Sequence, residues 1–367
     1  MRWSIPIGRI FGIPVELHVT FLLFVAWIAI AQGMASGDLG RALATAALMV
    51  LVFACVLLHE LGHALAARRY GIATRDIILL PIGGVARLER MPEKPQQEIV
   101  VALAGPAVNV AIAAALLAWF AVRHSAEGGA LDFRGSLLAA LFSVNVVMVL
   151  FNLIPAFPMD GGRVLRAALA MSMPFSRATR IASMVGQGIA LLFGAFGLFS
   201  GNLMLMFVAL FVFLAAGEER AVVQTRDTLA GVPVRDAMVT EFRVLEAADP
   251  LARAVEHLMA GSQADFPVLE GGVPAGVLTR DALVRALQRG GSAQPVGLAM
   301  TRGAAFADAA EPLESAVQRM REAGHSALPV LEHGRLVGLL TLENVGDLLV
   351  VREAMRRHAA GAPLTPA

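Results

Sequence analysis

The sequence predicts a polytopic α-helical membrane domain of about six spans, followed by a soluble α/β module. Three observations carry that expectation. Apolar residues crowd into residues 17–216, and charged residues are sparse there. From residue 218 the composition becomes that of an ordinary soluble protein. That last third contains a gapless internal repeat of 62 residues. Over all 367 residues, 57% are hydrophobic and only 16% are charged, against about 25% charged in a typical soluble domain. Mean hydropathy is +0.68. The expected domains are 1–218, 232–290 and 294–352.

About 20 apolar residues are needed to cross a bilayer as a helix. The expected spans are 17–34, 41–66, 98–122, 136–154, 181–199 and 203–217, the last two forming a hairpin. The N-terminal segment lacks a small-residue cleavage site after a short apolar core, so a signal peptide is not expected. Arginine and lysine set the orientation. They collect before the first span (Arg2, Arg9), after the second (Arg68, Arg69, Arg75, Arg87, Arg90, Lys94) and after the fourth (Arg163, Arg166, Arg177, Arg180). The alternate loops are poor in them, which puts both termini in the cytoplasm. Residues 77–89 are apolar but interrupted by Pro81 and Gly83-Gly84. That pattern favours a membrane-associated β-hairpin or a re-entrant segment over a seventh span.

Within the repeat, Ala237-Met238 recurs as Ala299-Met300, and Pro250-Leu251 as Pro312-Leu313. Phe266-Pro267-Val268-Leu269-Glu270 recurs as Leu328-Pro329-Val330-Leu331-Glu332. Each copy alternates an amphipathic helix (251–260; 313–323) with short Val/Leu strands and a closing helix.

The chemistry starts at His59-Glu60-Leu61-Gly62-His63, at the end of an apolar run, residues 42–58. Histidines at i and i+4 share one helix face and can bind one zinc ion, with the glutamate placed as a general base. Ionisable groups in a membrane span mark function. A catalytic zinc needs a third protein ligand and an open position. Asp160 is the candidate: it follows Asn152, Pro155 and Pro158 and precedes Gly161-Gly162, which let the chain turn sharply. Gly105 and Asn109 form either a small-residue packing face or part of the site. Asn145 reads as an interhelical hydrogen bond, Glu16 and His18 as interfacial anchors, and the lone Cys55 as packing. Net charge of +1 gives no case for nucleic-acid binding.

His59 to His63 (HExxH), the Gly105-to-Asn109 segment and Asn152-Pro155-Pro158-Asp160-Gly161 (NxxPxxPxDG) resemble the site-2 proteases in identity and order. These are intramembrane zinc metalloproteases. The Gly83-Gly84 segment resembles the family's membrane-associated substrate-binding loop, and the two C-terminal repeats resemble a tandem CBS pair. The resemblance implies one zinc per subunit on His59, His63 and Asp160, with Glu60 as base. It gives substrate-binding or site-shaping roles to Asn152, Gly83, Gly84 and Asn109. It implies hydrolysis of peptide bonds within or near transmembrane segments of membrane-protein substrates, in a multi-pass protein of a prokaryotic plasma membrane. The CBS pair would tune that activity by binding an adenine nucleotide, and would offer a homodimer interface. Thr341 and Asn344 match the expected ribose grip in the second repeat. In the first, Thr279 is followed at three positions by Ala282, a departure. The rival readings are a CBS-regulated transporter or channel, and an inactive scaffold. A transporter needs no HExxH with a distant PxDG, and an inactive member would not keep all three ligands with Glu60.

Overall fold

The computed structural model describes residues 3–81, 83–90, 92, 94–127, 137–303 and 306–359. The chain divides into two compact units, Met1–Ala221 and Val222–Ala367.

The first unit opens with β1 (Ser4–Ile10) and β2 (Ile13–His18), an antiparallel pair. The strands were not expected. They move the start of the first helix, α1 (Val19–Ser36), two residues past the expected 17. His18 accepts from Thr20 N–H at 3.4 Å as N-cap, a helix-capping role rather than only an interfacial one. Asp38 caps α2 (Leu39–Arg68) through Gly40 N–H at 2.7 Å. β3 (Thr74–Leu80) and β4 (Gly83–Leu88) then pair antiparallel, and β3 pairs parallel with β2. The sheet order is β1-β2-β3-β4, so β4 is an edge strand.

Four helices follow the sheet before the last, α7. They are α3 (Pro95–Glu127), α4 (Leu137–Asn152), α5 (Asp160–Ala170) and α6 (Phe175–Ser200). α7 (Leu203–Leu229) crosses the boundary between the units along the chain. Among the described residues, four helices have the length and apolar composition of a membrane span: Val19–Ser36, Leu39–Arg68, Pro95–Arg123 and Phe175–Ser200. Leu137–Asn152 is apolar but has only 16 residues, about 24 Å of helix against a hydrocarbon core of about 30 Å. It stops short of the expected 154 because Pro155 follows, and expected residue 136 lies outside the described residues. α6 starts six residues before the expected 181, and α7 runs twelve past the expected 217. Arg, Glu and Gln at those ends are good helix formers, so helix outlasts hydropathy. Apolar side chains left outward along these helices include Leu192, Phe196, Phe199 and Leu203.

The second unit holds the two repeats. The first is β5 (Leu245–Glu246), α8 (Leu251–Met259), β6 (Phe266–Glu270), β7 (Val273–Leu278) and α9 (Arg280–Gly290), after which β8 (Thr301–Arg302) adds to β7. The second is β9 (Ala307–Asp308), α10 (Leu313–Ala323), β10 (Ala327–Glu332), β11 (Arg335–Thr341) and α11 (Leu342–Ala359). Their sheets run β5-β6-β7-β8 and β11-β10-β9. The segment leading into each repeat closes the core of the other. Val232, Val234 and Ala237 pack with Leu313, Leu328 and Leu340, whereas Val296 and Met300 pack with Leu251, Phe266 and Leu278.

Candidate metal centre and active site

α2 is a single helix through His59 and His63, so the i, i+4 spacing brings both imidazoles to one face. Asp160 is the first residue of α5, reached through a turn that contains a cis Phe157–Pro158 bond. Gly161 and Gly162 make that turn feasible. A Cβ on Gly162 would come within 2.6 Å of the Phe157 nitrogen, and one on Gly161 would strike the carbonyls of Leu153 and Ile154. Asp160 thereby arrives beside the histidines as a buried carboxylate. Its Oδ2 lies 3.2 Å from His59 Nε2 and 3.2 Å from His63 Nε2, and the two Nε2 atoms are 3.1 Å apart.

The partners of the other ring nitrogens fix what those Nε2 atoms present. His63 Nδ1 lies 2.7 Å from the Val101 carbonyl, which only accepts, so Nδ1 carries the hydrogen and donates. His59 Nδ1 lies 2.5 Å from Asn109 Oδ1. The Asn109 amide is oriented by its own donation from Nδ2 to Asn145 Oδ1 at 2.7 Å. Asn145 Nδ2 in turn donates to the Leu141 carbonyl at 2.8 Å. The run ends on an oxygen that cannot donate, so His59 Nδ1 is also a donor. Both Nε2 atoms then turn bare lone pairs toward one another and toward the carboxylate.

Three acceptors facing each other in a buried space repel unless a cation lies among them. Asp160 Oδ2 has no hydrogen-bond partner, although it is buried. The three ligand atoms lie within 4.8 Å of one another. A tetrahedral zinc with ligands at about 2.05 Å sets its ligand atoms about 3.3 Å apart, close to the separations here. The donor set, the orphaned oxygen and the spacing all fit a zinc ion. An oxygen that accepts from the outer ring nitrogen of a metal-ligating histidine is a common means of fixing the tautomer.

Small residues hold the space open. A Cβ on Gly105 would lie 2.7 Å from His59 Nε2 and closer still to His63. A Cβ on Gly62 would lie 2.7 Å from the Ala104 carbonyl, so α2 and α3 approach closely beneath the site. Glu60, between the histidines, turns to β4 and accepts from Ala86 N–H at 3.1 Å through Oε2. A Cβ on Gly84 would lie 2.6 Å from Glu60 Cγ. Since that Ala86 N–H bonds Glu60 and not β3, the glutamate lies along the open edge of β4.

Of the other sequence candidates, Asn109 and Gly84 touch the site through these contacts. Gly83 begins β4 at φ 137°, a conformation suited to glycine. Asn152 closes α4, half-buried, with no side-chain hydrogen bond to the cluster. Asn145 is the interhelical link expected of it, and it also orients the Asn109 amide. That second role has no short-range sequence signal. The Val101 carbonyl and Ala86 N–H are backbone groups and leave none. In the second unit, Thr341 Oγ1 donates to Asn344 Oδ1 at 2.5 Å and accepts from Asn344 N–H at 3.1 Å. Thr279 caps α9 by accepting from Ala282 N–H at 3.2 Å.

A buried two-histidine, one-carboxylate cluster with a glutamate between the histidines defines the class as a zinc hydrolase set among apolar helices. Comparison with known proteins agrees. The family model for Peptidase family M50 matches residues 47–127 and 126–193, and the CBS domain model matches 234–289 and 296–350. A zinc metalloprotease of Methanocaldococcus jannaschii is 34% identical over 279 residues, spanning 76% of this chain and 78% of its own. Rip3 of Mycobacterium tuberculosis, also described as a zinc metalloprotease, is 31% identical over 373 residues, spanning 96% and 94%. A solved site-2 protease from M. jannaschii is 39% identical, with a TM-score of 0.45, covering 59% of this chain and 95% of that one. The chain belongs to Peptidase family M50, the site-2 proteases, and carries a C-terminal pair of CBS domains. It is a membrane zinc metalloprotease of the kind that acts in regulated intramembrane proteolysis.

Proposed function

We propose that His59, His63 and Asp160 hold one zinc ion and that Glu60 is the general base of peptide hydrolysis. The observation that carries this reading is the convergence of two Nε2 lone pairs and an unpartnered, buried Asp160 oxygen. A zinc ion bound there supplies Lewis acidity, lowering the pKa of water toward about 7 and stabilising negative charge on oxygen. Glu60 takes a proton from the attacking water as its oxygen bonds the scissile carbonyl carbon. It then delivers that proton to the leaving nitrogen as the C–N bond breaks. Ala86 N–H holds one Glu60 oxygen and leaves the other for this traffic. Asn109 and Asn145 keep His59 in its productive tautomer, and Gly105 keeps the space open.

A transmembrane substrate hides its carbonyls in helical hydrogen bonds and must become extended before cleavage. The open edge of β4, next to Glu60, suits β-addition of such a segment. Gly83 and Gly84 would let it approach. Asn152 is assigned to orienting the substrate from the end of α4. The substrate class is a membrane protein with a transmembrane segment, cleaved within or near it.

The topology that fits this chemistry has six spans, with α4 and the apolar part of α7 joining the four longer helices. The arginine pattern then places both termini and the CBS pair in the cytoplasm of a prokaryotic plasma membrane, with a domain boundary near residue 218. The β3–β4 hairpin lies at the membrane. The CBS pair tunes proteolysis by binding an adenine nucleotide, Thr341 and Asn344 being the better ribose grip, and it offers a homodimer surface. The test is chelation. Stripping the metal from the purified protein should abolish cleavage of a transmembrane substrate, and zinc should restore it. Full activity in the stripped protein would refute the metal role.

A further inference from the structure

Among the described residues, Arg166 is the largest fully buried side chain, 1% exposed. It lies on α5, six residues after Asp160, or about 9 Å along the helix axis. Its Nε donates to Glu98 Oε1 at 2.8 Å, and Nη2 donates to the same oxygen. Nη1 donates to Glu219 Oε1. The guanidinium also lies over the rings of Phe157, at 5.0 Å, and Phe175, at 4.9 Å. One side chain therefore ties α5 to α3 through Glu98, to α7 through Glu219, and to the turn that delivers Asp160 through Phe157.

Burying a charge is costly unless good geometry offsets the lost hydration. A cluster of one cation and two carboxylates at this depth is therefore a specific fixture. Lysine could not reproduce it, because a planar fork engages several oxygens at once and an ammonium does not. Asp160 has no hydrogen bond to hold its Oδ2, and it begins a helix of only 11 residues. Its position depends on where that helix and the Phe157 turn are held. Arg166 touches both, as a residue of that helix and over the Phe157 ring.

We propose that Arg166 is a positioning residue for Asp160, and that Glu98 and Glu219 are the anchors of this clamp. The proposal rests on the reading of Asp160 as a zinc ligand. Glu98 is 3% exposed and Glu219 is 28% exposed, so Glu219 is the looser leg. It also sits on α7, the helix that runs on to Leu229, where the CBS core begins. Displacing α7 would act on the clamp at Glu219, and through Arg166 on the metal site.

The test uses the full chain in detergent. Arg166→Met, Arg166→Lys and Glu219→Gln are compared with wild type, with Asp160→Asn, and with Ser183→Ala, which loses a buried hydrogen bond to the Ala216 carbonyl on α7. Zinc affinity is read by chelator competition on the folded fraction, and the cobalt-substituted protein gives a ligand-field spectrum. Arg166→Met should weaken zinc binding about 10–100-fold, the range for residues that support metal ligands, and should shift the cobalt spectrum. Arg166→Lys should recover part of both. Glu219→Gln should show a smaller loss in the same direction. Ser183→Ala should lose stability but keep the wild-type affinity and spectrum. Should Arg166→Met not fold, Glu219→Gln decides, since it leaves the Glu98 pair intact. Wild-type affinity and spectrum in Glu219→Gln and in every Arg166 variant that folds would overturn the clamp. Wild-type zinc binding by Asp160→Asn would instead remove the ligand assignment beneath it.

Discussion

Asn109 and Asn145 are hydrogen-bonded at 2.7 Å between α3 and α4, and this bond determines which nitrogen of His59 is free. The polarity starts at the Leu141 carbonyl, passes through both amides and ends at the imidazole. Asn145→Leu removes the link that orients Asn109, whose amide can then flip and present Nδ2 to the ring. Zinc affinity should fall about 10–100-fold, measured by chelator competition. Unchanged affinity in a folded variant would show that Asn145 serves only to pack α4.

Two glycines beside the site should fail in different ways. Gly105→Ala drives a methyl group into the space between the two Nε2 atoms, so the purified protein should lose its metal. Gly84→Ala presses on Glu60 Cγ from β4 instead. It should keep its metal while turnover falls, by as much as about 10²-fold if the base is displaced. Elemental analysis beside a cleavage assay separates the two. A metal-free Gly84→Ala would contradict the division of labour.

Much of this site was legible in the sequence because its chemistry is local. His59, Glu60 and His63 lie on one helical turn, and Asp160 is marked by two prolines and two glycines. What was not legible depends on contacts between distant segments. Nothing near Arg166 announces that Glu98 and Glu219 converge on it across 68 and 53 residues. The β1–β2 pair was missed although Ile13, Val15 and Leu17 alternate with Pro14, Glu16 and His18, because the run is short and β3, the strand that pairs with β2, lies beyond two helices. The span boundaries drifted because hydropathy reports the solvent around a helix, whereas the helix ends where caps and prolines end it. The repeat was legible because two equal copies calibrate each other, with α8 ending at Met259, one residue before the expected 260, but the exchange of leading segments between their cores carries no periodic signal.

Adenine nucleotide should bind the full-length protein chiefly through the second repeat. Thr341→Ala and Asn344→Ala should each weaken binding by about tenfold, the cost of a hydrogen bond to a buried polar group. Thr279→Ala should change it less, because Ala282 stands where the second repeat has Asn344, so the first copy lacks the carboxamide half of the grip. Calorimetry with AMP, ADP and ATP reads this directly. Absence of heat or thermal shift with any of them would leave the pair a structural or dimerisation module.

The most direct measurement is zinc content and turnover of Glu60→Gln and Asp160→Asn, purified side by side with wild type. Glu60→Gln should hold zinc like wild type and cleave a transmembrane substrate about 10²–10⁴-fold more slowly, since the amide keeps the shape and removes the base. Asp160→Asn should lose zinc and activity together. Wild-type turnover in Glu60→Gln, or wild-type zinc affinity in Asp160→Asn, would contradict the assignment of base and ligand.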